Sequence, residues 1–399
     1  MIQRRDFYYV EIILDSPLSL GNGVNNNTDQ DILVDKKGNP FIPGTSIAGV
    51  FTDYLRRTST EDDTEKKKEK GEFFQPKKKK QYIQSPVFFS DAVLKNTFKK
   101  DTRDGIKLKD EQKLTKDGAK YDFEVIEKGT KFVFRIEIIN RDNTEDIYKG
   151  YVDQCLKAMD EGLILFGAKT TRGLGKVKIT SLKYKSFTKD NARDYIKFKP
   201  FNEFMYDDYS LDDIELDPLY VTIKLDLQLQ GGISIRKYNA NAQEEDFHHI
   251  TNKNNQPVIP GTSWNGLIRK QFKYYYEDIL HHSEDDTNKL FGVVDNKKAI
   301  KSKIIIEEHV INGGEEVIMT RNSIDRFSGG TVERRLFTER THYYGDTQLV
   351  IHIPEEYKNE DVMTAFECII QDIDNGFIAL GGQTAVGRGL FKVVCKEGI

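Results

Sequence analysis

Phe41-Ile-Pro-Gly-Thr-Ser-Ile-Ala-Gly49 returns later in the chain as Val258-Ile-Pro-Gly-Thr-Ser-Trp-Asn-Gly266. A second pair of stretches keeps nearly the same separation. Asp160-Glu-Gly-Leu-Ile-Leu-Phe-Gly167 reappears as Asp374-Asn-Gly-Phe-Ile-Ala-Leu-Gly381. Each is followed by a glycine-rich tail, Ala168-Lys-Thr-Thr-Arg-Gly-Leu-Gly175 and Gly382-Gln-Thr-Ala-Val-Gly-Arg-Gly389. The offset is 217 residues between Gly44 and Gly261, and 214 between Gly167 and Gly381. So long a period marks a duplicated domain, because solenoid repeats run to about 20–50 residues.

The 399 residues suit two domains of about 100–200 residues each. Charged residues make up 31% of the chain, and no apolar run reaches the length of a membrane span, about 18 residues. The N-terminal stretch Met1-Ile-Gln-Arg-Arg-Asp-Phe leads straight into a strand-like segment, so no secretory signal is expected. Cys155, Cys368 and Cys395 stand apart without CxxC spacing. That pattern suits a reducing cytoplasm and argues against a zinc site or a disulfide framework. A formal charge of −4 gives no global pull on nucleic acid, so any anionic partner must be held by local patches.

Both halves carry the same order of elements. Phe7 to Leu14 and Leu219 to Leu229 show the β-branched and aromatic alternation of strands. Loops containing Gly21 and Gly23, or Gly231 and Gly232, follow. Then comes a polar excursion and a short hairpin ending in the Ile-Pro-Gly-Thr-Ser turn. Thr45/Ser46 and Thr262/Ser263 are expected to cap helices over Ile47–Arg57 and Trp264–Tyr276. A second amphipathic helix is expected over Asp146–Met159 and Asp361–Ile373, closed by Gly162 or Gly376. A strand-rich tail ends each copy. The expected class is α+β, with two tandem ferredoxin-like, RRM-like modules of split βαβ order carrying insertions and β-hairpin arms. The expected boundaries are 1–186 and 218–399, with the polar, acidic stretch 187–217 as connector. The lysine-rich segment 61–80 reads either as a solvated loop or as a phosphate-contacting patch, and it has no counterpart in the second half.

The paired Pro-Gly-Thr-Ser turns and glycine-rich tails resemble the signature of the CRISPR RAMP superfamily. Within it, the likeness is to the tandem backbone subunits of type III RNA-guided effector complexes, of type III-D-like arrangement. Gly167-Ala-Lys-Thr-Thr-Arg-Gly-Leu-Gly175 follows that family's tail loop closely, and Gly381 to Gly389 follows it with the basic residue displaced to Arg388. Arg321-Asn-Ser-Ile-Asp-Arg-Phe-Ser-Gly-Gly330 fits the middle of the second module. The first module's equivalent, Ser90-Asp-Ala92 with Arg103 to Lys107, fits less well. Glycines let a backbone approach a phosphate and turn its N–H groups outward, while a neighbouring cation neutralises charge. No Gly-x-x-x-x-Gly-Lys-Ser/Thr string exists, so a P-loop is excluded.

The resemblance implies a protein that binds guide CRISPR RNA and complementary target RNA and assembles with other type III effector subunits. The implied RNA-binding residues in the first module are Gly21, Gly23, Gly44, Ser46, Arg57, Lys169, Arg172 and Lys176. In the second they are Gly231, Gly232, Gly261, Ser263, Arg269, Arg326, Phe327 and Arg388. The family's lysine after the Pro-Gly-Ser turn is replaced by Ala48 and Asn265. The arginine that follows is matched by Arg269, but Thr52 stands there in the first module, with Arg56 and Arg57 a turn later.

Target-cleaving members carry an acidic residue in the loop before the hairpin. Here that position falls on Asp29 and Asp246, with Asp31, Glu244 and Glu245 close by. All seven histidines (His248, His249, His281, His282, His309, His342 and His352) lie in the second half. A histidine acid/base pair therefore cannot act in the first module unless another subunit supplies it. Cleavage there would rest on a carboxylate assisted by a divalent cation, Mg2+ being the expected ion. Vicinal His248 and His249 in a strand would point to opposite faces. The resemblance also implies a β-hairpin arm around Ile324–Gly330 that wedges into the guide–target duplex. The other reading of that arm has Phe327 packed back onto its own module. Two further readings of the whole chain are a non-catalytic guide-binding scaffold and a guide-processing endoribonuclease.

Overall fold

Strand β1 (Arg4–Leu14) and strand β5 (Tyr220–Gln230) open the two halves with different sequence patterns. In β5, Ile223, Leu225, Leu227 and Leu229 alternate with Lys224, Asp226, Gln228 and Gln230, and only the apolar set is buried. That is the pattern of a sheet covered on one face. In β1, Phe7 to Ile12 are all buried, so both faces are covered. The computed structural model describes residues 2–21, 23, 28–58, 77–78, 81–82, 85–108, 115–141, 147–238, 245–295, 298–333 and 335–399. The lysine-rich segment 61–80 falls outside the described residues except for Lys77 and Lys78. The chain divides into two compact units whose main boundary lies between Leu219 and Tyr220, with the short stretch Thr171–Gly173 grouped with the second.

In the first unit β1 lies between β3 (Lys131–Asn140) and β4 (Val177–Thr188), antiparallel to both. The sheet runs on through the short strands Ala92–Leu94 and Phe41–Ile42. Helices α1 (Gly44–Arg57) and α2 (Ile147–Asp160) cover one face. Ile47, Phe51, Tyr54 and Leu55 form the buried stripe of α1, spaced at the helical period. In the second unit β5 lies between β9 (Asp346–Pro354) and β10 (Leu390–Glu397), again antiparallel to both. Helices α3 (Gly261–Lys273) and α4 (Glu360–Asp374) bury Trp264, Ile268, Phe272, Phe366, Ile369 and Ile373 in its core. A π-helical stretch, Tyr274–Ile279, continues α3.

The duplication reaches into irregularities of the backbone. The β1–β4 pairing slips by one residue at Glu11/Ile12, and β5–β10 slips at Asp226/Leu227. Gly162 and Gly376 end α2 and α4 in left-handed conformation, at φ 80° and 72°, as their positions implied.

One expectation is corrected. Thr45/Ser46 and Thr262/Ser263 do not cap α1 and α3. Pro43 and Pro260 hold the cap positions, with φ of −57° and −63°, and no side chain bonds to the first-turn amides from there. Proline's ring already sets the φ needed for helix entry, so the hydroxyl residues move inside the first turn.

Residues 187–217, expected as the connector, carry structure of their own. They form a short helix, Ala192–Lys197, and a two-residue strand, Asp207–Asp208, on the edge of β4. Phe198 packs on Phe7 and Phe187, and Tyr206 packs on Tyr9. The Tyr209 hydroxyl donates to buried Asp153 at 2.8 Å. This stretch covers the second apolar face of β1.

Among the polar groups in the second unit's interior, His249 is held neutral. Its Nδ1 accepts from the Ile235 N–H at 3.2 Å, and its Nε2 lies 3.0 Å from the Val258 carbonyl oxygen. Burial lowers its pKa from 6.5 to about 3. Between those values the unfolded chain binds the extra proton, so this stabilisation is full above pH 6.5 and is lost as pH falls towards 3. The slope is roughly 1.4 kcal/mol per pH unit. The chain's single tryptophan, Trp264, is buried in the same core and reports on it by fluorescence. Acidification from about pH 7 to about pH 4 is expected to lower the urea midpoint of the Trp264 transition, and His249→Gln to flatten that dependence. At neutral pH, Phe366→Ala should lower the stability read by Trp264 by about 3–5 kcal/mol, as expected of a large ring lost from a packed core.

Candidate nucleic-acid interface

The glycine-rich tails fold the same way in both units. Gly167 and Gly381 have φ of 78° and 89°, and a Cβ on them would lie 2.3 Å and 2.8 Å from the carbonyl oxygens of Ser19 and Ser234. Those same oxygens accept from the Ala168 and Gly382 N–H groups at 2.7 Å in each unit. At the far end, Gly175 and Gly389 donate to the Pro17 and Gly232 carbonyls at 2.9 Å and 2.8 Å. A Cβ on Gly175 would come within 1.9 Å of the Phe166 oxygen. Each tail is thus stitched to the loop after β1 or β5, and a single turn of 3-10 helix, Thr170–Arg172 or Thr384–Val386, forms its crest. Gly21 and Gly23 sit exposed in the first of those loops. In the second, Gly231 has φ 80° and Gly232 is buried against the Tyr343 ring.

The cations expected in these tails have different fates. Arg172 is exposed on its crest and Lys176 is half-buried. Lys169 turns inward: its Nζ lies 3.9 Å from the Phe123 ring centroid and donates to Gln30 Oε1 at 3.1 Å. Arg388, expected to grip RNA, is 2% exposed, paired with fully buried Glu339 at 2.5 Å and donating to Thr341 Oγ1 at 2.6 Å. Its guanidinium compensates a buried carboxylate, and reaching a phosphate would leave Glu339 only the longer pair with Arg321 at 3.5 Å. Arg388 is therefore an internal counter-ion of the second tail.

At the helix entries Gly44 and Gly261 are buried, and Ser46 and Ser263 are half-buried in the first turn. The Gly44 N–H donates to Asp91 Oδ1 at 2.8 Å. Arg57 pairs with Asp53 at 3.2 Å, and Arg269 donates to Asn288 at 3.2 Å.

Asp29 and Asp246 occupy equivalent places. Both are exposed, and in each one carboxylate oxygen accepts from the backbone N–H of a neighbouring strand. Asp122 of β2 (Thr115–Ile126) donates to Asp29 at 3.0 Å, and Thr338 of β8 (Phe337–Tyr343) donates to Asp246 at 2.7 Å. The return bonds run from Asp29 N–H to the Asp122 carboxylate and from Asp246 N–H to the Thr338 carbonyl. These bonds fix the position of each aspartate while its side chain faces solvent. The nearby acids differ. Asp31 is buried and accepts from the N–H and hydroxyl of Thr28, both at 2.9 Å. Arg340 bonds Glu245 at 2.7 Å and holds its carboxyl below the usual carboxylate range. Glu244 lies outside the described residues. Among the described residues no group of three or more His, Cys, Asp or Glu side chains converges to hold a metal. His248 is half-buried while His249 is buried, so the vicinal pair does face opposite ways.

The arm of the second unit extends from β7 (Glu315–Arg321) and β8. Asp325 organises its tip, accepting from the N–H groups of Phe327 and Ser328 at 2.9 Å and 2.7 Å. These bonds hold the Asp325 carboxyl below its usual range. Phe327 is 102% exposed and Arg326 is exposed beside it, so the ring does not pack back onto its module. Ile318, Ile324 and Leu336 are exposed along the same arm. The sequence signal for this apolar edge was present, but nothing local distinguished it from core.

No described helix is long and apolar enough to cross a membrane. No curated protein sequence matches the chain. The sequence model of the RAMP superfamily matches it twice, over residues 11–178 and 214–392, one match to each copy of the repeat. The two matched stretches contain both tail loops, both Pro-Gly-Thr-Ser turns and both tethered aspartates, and the chain belongs to the RAMP superfamily of CRISPR-associated RNA-binding effector subunits.

Proposed function

We propose that the chain is the tandem backbone subunit of a type III-D-like effector complex, with each module ferredoxin-like in order. It holds guide RNA along the two tail loops and cleaves complementary target RNA at two positions, one per module. Asp29 and Asp246 act in that cleavage. The observation that carries this reading is the repeated tether: an exposed aspartate in each unit, held by a backbone N–H of the adjoining strand.

The chemistry suits a carboxylate. A 2′-hydroxyl attacks the adjacent phosphorus, the aspartate takes the hydroxyl proton, and the 5′-oxygen leaves and gains a proton from solvent. The products are a 2′,3′-cyclic phosphate end and a 5′-hydroxyl end. A single aspartate per module does not build a metal cage, but Mg2+ is commonly held by one or two carboxylates together with substrate phosphates. Asp29 and Asp246 fit that mode once RNA is present, and the ion would then stabilise charge on the phosphate. The exposed arm, with Phe327 and Arg326 at its tip, suits stacking on a base and contact with a phosphate.

In the assembled complex with guide and complementary target, Asp29→Asn and Asp246→Asn should each remove a different cut. The expected loss is about 10²–10⁴-fold in rate, with target binding kept. Retention of every product by both variants would leave a binding scaffold. Replacing Arg172 and Lys176 with Ala should weaken guide retention irrespective of sequence and lower the slope of log K against log salt by about 1.4, at roughly 0.7 per phosphate contact on a single strand. An unchanged slope would assign the first tail loop a structural role only. Phe327→Ala combined with Arg326→Ala should slow one cut at saturating target far more than it weakens target binding. Equal single-turnover rates would remove the arm from the mechanism.

A further inference from the structure

Lys169 and Gln383 stand at the same place in the two tails, two residues beyond Gly167 and Gly381. Both take a left-handed backbone, with φ of 58° and 56°. That conformation is uncommon for residues with a side chain and persists only where surrounding contacts hold it. Each side chain leaves the tail for a strand residue directly after the one that tethers the aspartate. In the first unit, Asp122 N–H holds Asp29, and the next residue, Phe123, carries the Lys169 ammonium on its ring at 3.9 Å. Lys169 also donates to Gln30, the residue following Asp29. In the second unit, Thr338 N–H holds Asp246, and the next residue, Glu339, accepts from Gln383 Nε2 at 2.8 Å. The chemistry differs, a cation on a ring in one module and an amide on a carboxylate in the other, yet the connection is the same.

We propose that Lys169 and Gln383 are positioning residues, each coupling the RNA-gripping tail of its module to the strand that places that module's aspartate. This rests on the reading of Asp29 and Asp246 given above. A tail seated on guide RNA then fixes its own module's aspartate against the target, and the coupling stays within one module. Module two adds a second brace. The Glu339 carboxylate that accepts from Gln383 also pairs with Arg388 on the same tail and with Arg321 at 3.5 Å.

Glycine variants test this with little risk to the fold, because glycine adopts φ near +57° without strain and removes only the side chain. Lys169→Gly and Gln383→Gly are assembled with guide, and single-turnover rates of both cuts are measured at saturating complementary target. Asp29→Asn and Asp246→Asn, run alongside, assign each cut to a module. Lys169→Gly is expected to slow the cut assigned to Asp29, and Gln383→Gly the cut assigned to Asp246. Each loss should approach 10²-fold, as for a catalytic group misplaced by about 1 Å. Guide retention, target affinity and thermal midpoint should hold, and Lys169→Arg should restore the rate by returning a cation to the Phe123 ring. The coupling is overturned if the glycine variants cut at wild-type rates, if either slows both cuts equally, or if guide is lost in proportion to the rate. Aspartate variants that lose their cuts while the glycine variants keep them would sink the coupling alone. Aspartate variants that keep both cuts would sink the cleavage reading and the coupling with it.

Discussion

Two carbonyl oxygens, those of Ser19 and Ser234, each receive an N–H from the glycine-rich tail of their own module. The approach is so close that a side chain on Gly167 or Gly381 would collide with the acceptor. From that contact follow the path of the tail, the crest of 3-10 helix and the left-handed turn of Lys169 and Gln383. Hydrogen bonds buried in such a seam are costly to leave unmade, so the tail has one seat. The surfaces that face RNA in the proposed function are arranged around it.

The two modules reach one geometry with different side chains. A backbone N–H tethers both aspartates, although the residues that supply it are Asp122 and Thr338. Main-chain bonding survives changes of residue type. Side-chain chemistry around it has diverged, with Phe123 where the second module has buried Glu339. Burying Glu339 requires a cation, and Arg388 supplies it. The basic residue displaced to Arg388 in the second tail thus has a carboxylate partner inside its own module.

Much of this was legible in the sequence because it rests on local rules. The Pro-Gly-Thr-Ser turns, Gly162 and Gly376 at helix ends, and the strict alternation of β5 each show in a few consecutive residues. Asp29 and Asp246 were found only through the family, since an exposed acid in a loop looks like many others. What escaped depends on distant partners. Arg388 bonds a residue 47 positions away, and nothing in its neighbourhood foretells that. The role of residues 187–217 also escaped, because their polar, acidic composition hid the aromatics. Tyr195, Phe198 and Tyr206 are spaced without period, and their meaning appears only once Phe7 and Tyr9 are seen to need a cover.

That cover has a consequence for synthesis. A nascent chain that has released β1 to β4 still presents Phe7, Tyr9 and Phe187 on an open sheet face, and the residues that shield them are the next to be made. At about 5–20 residues per second, translation leaves a sticky sheet waiting for a second or more. The first module is therefore not finished where its repeat ends. Its folding unit closes only when Tyr206 and Tyr209 have left the ribosome, whereas β5 of the second module carries Lys224, Asp226 and Gln228 on its outer face and needs no such guardian.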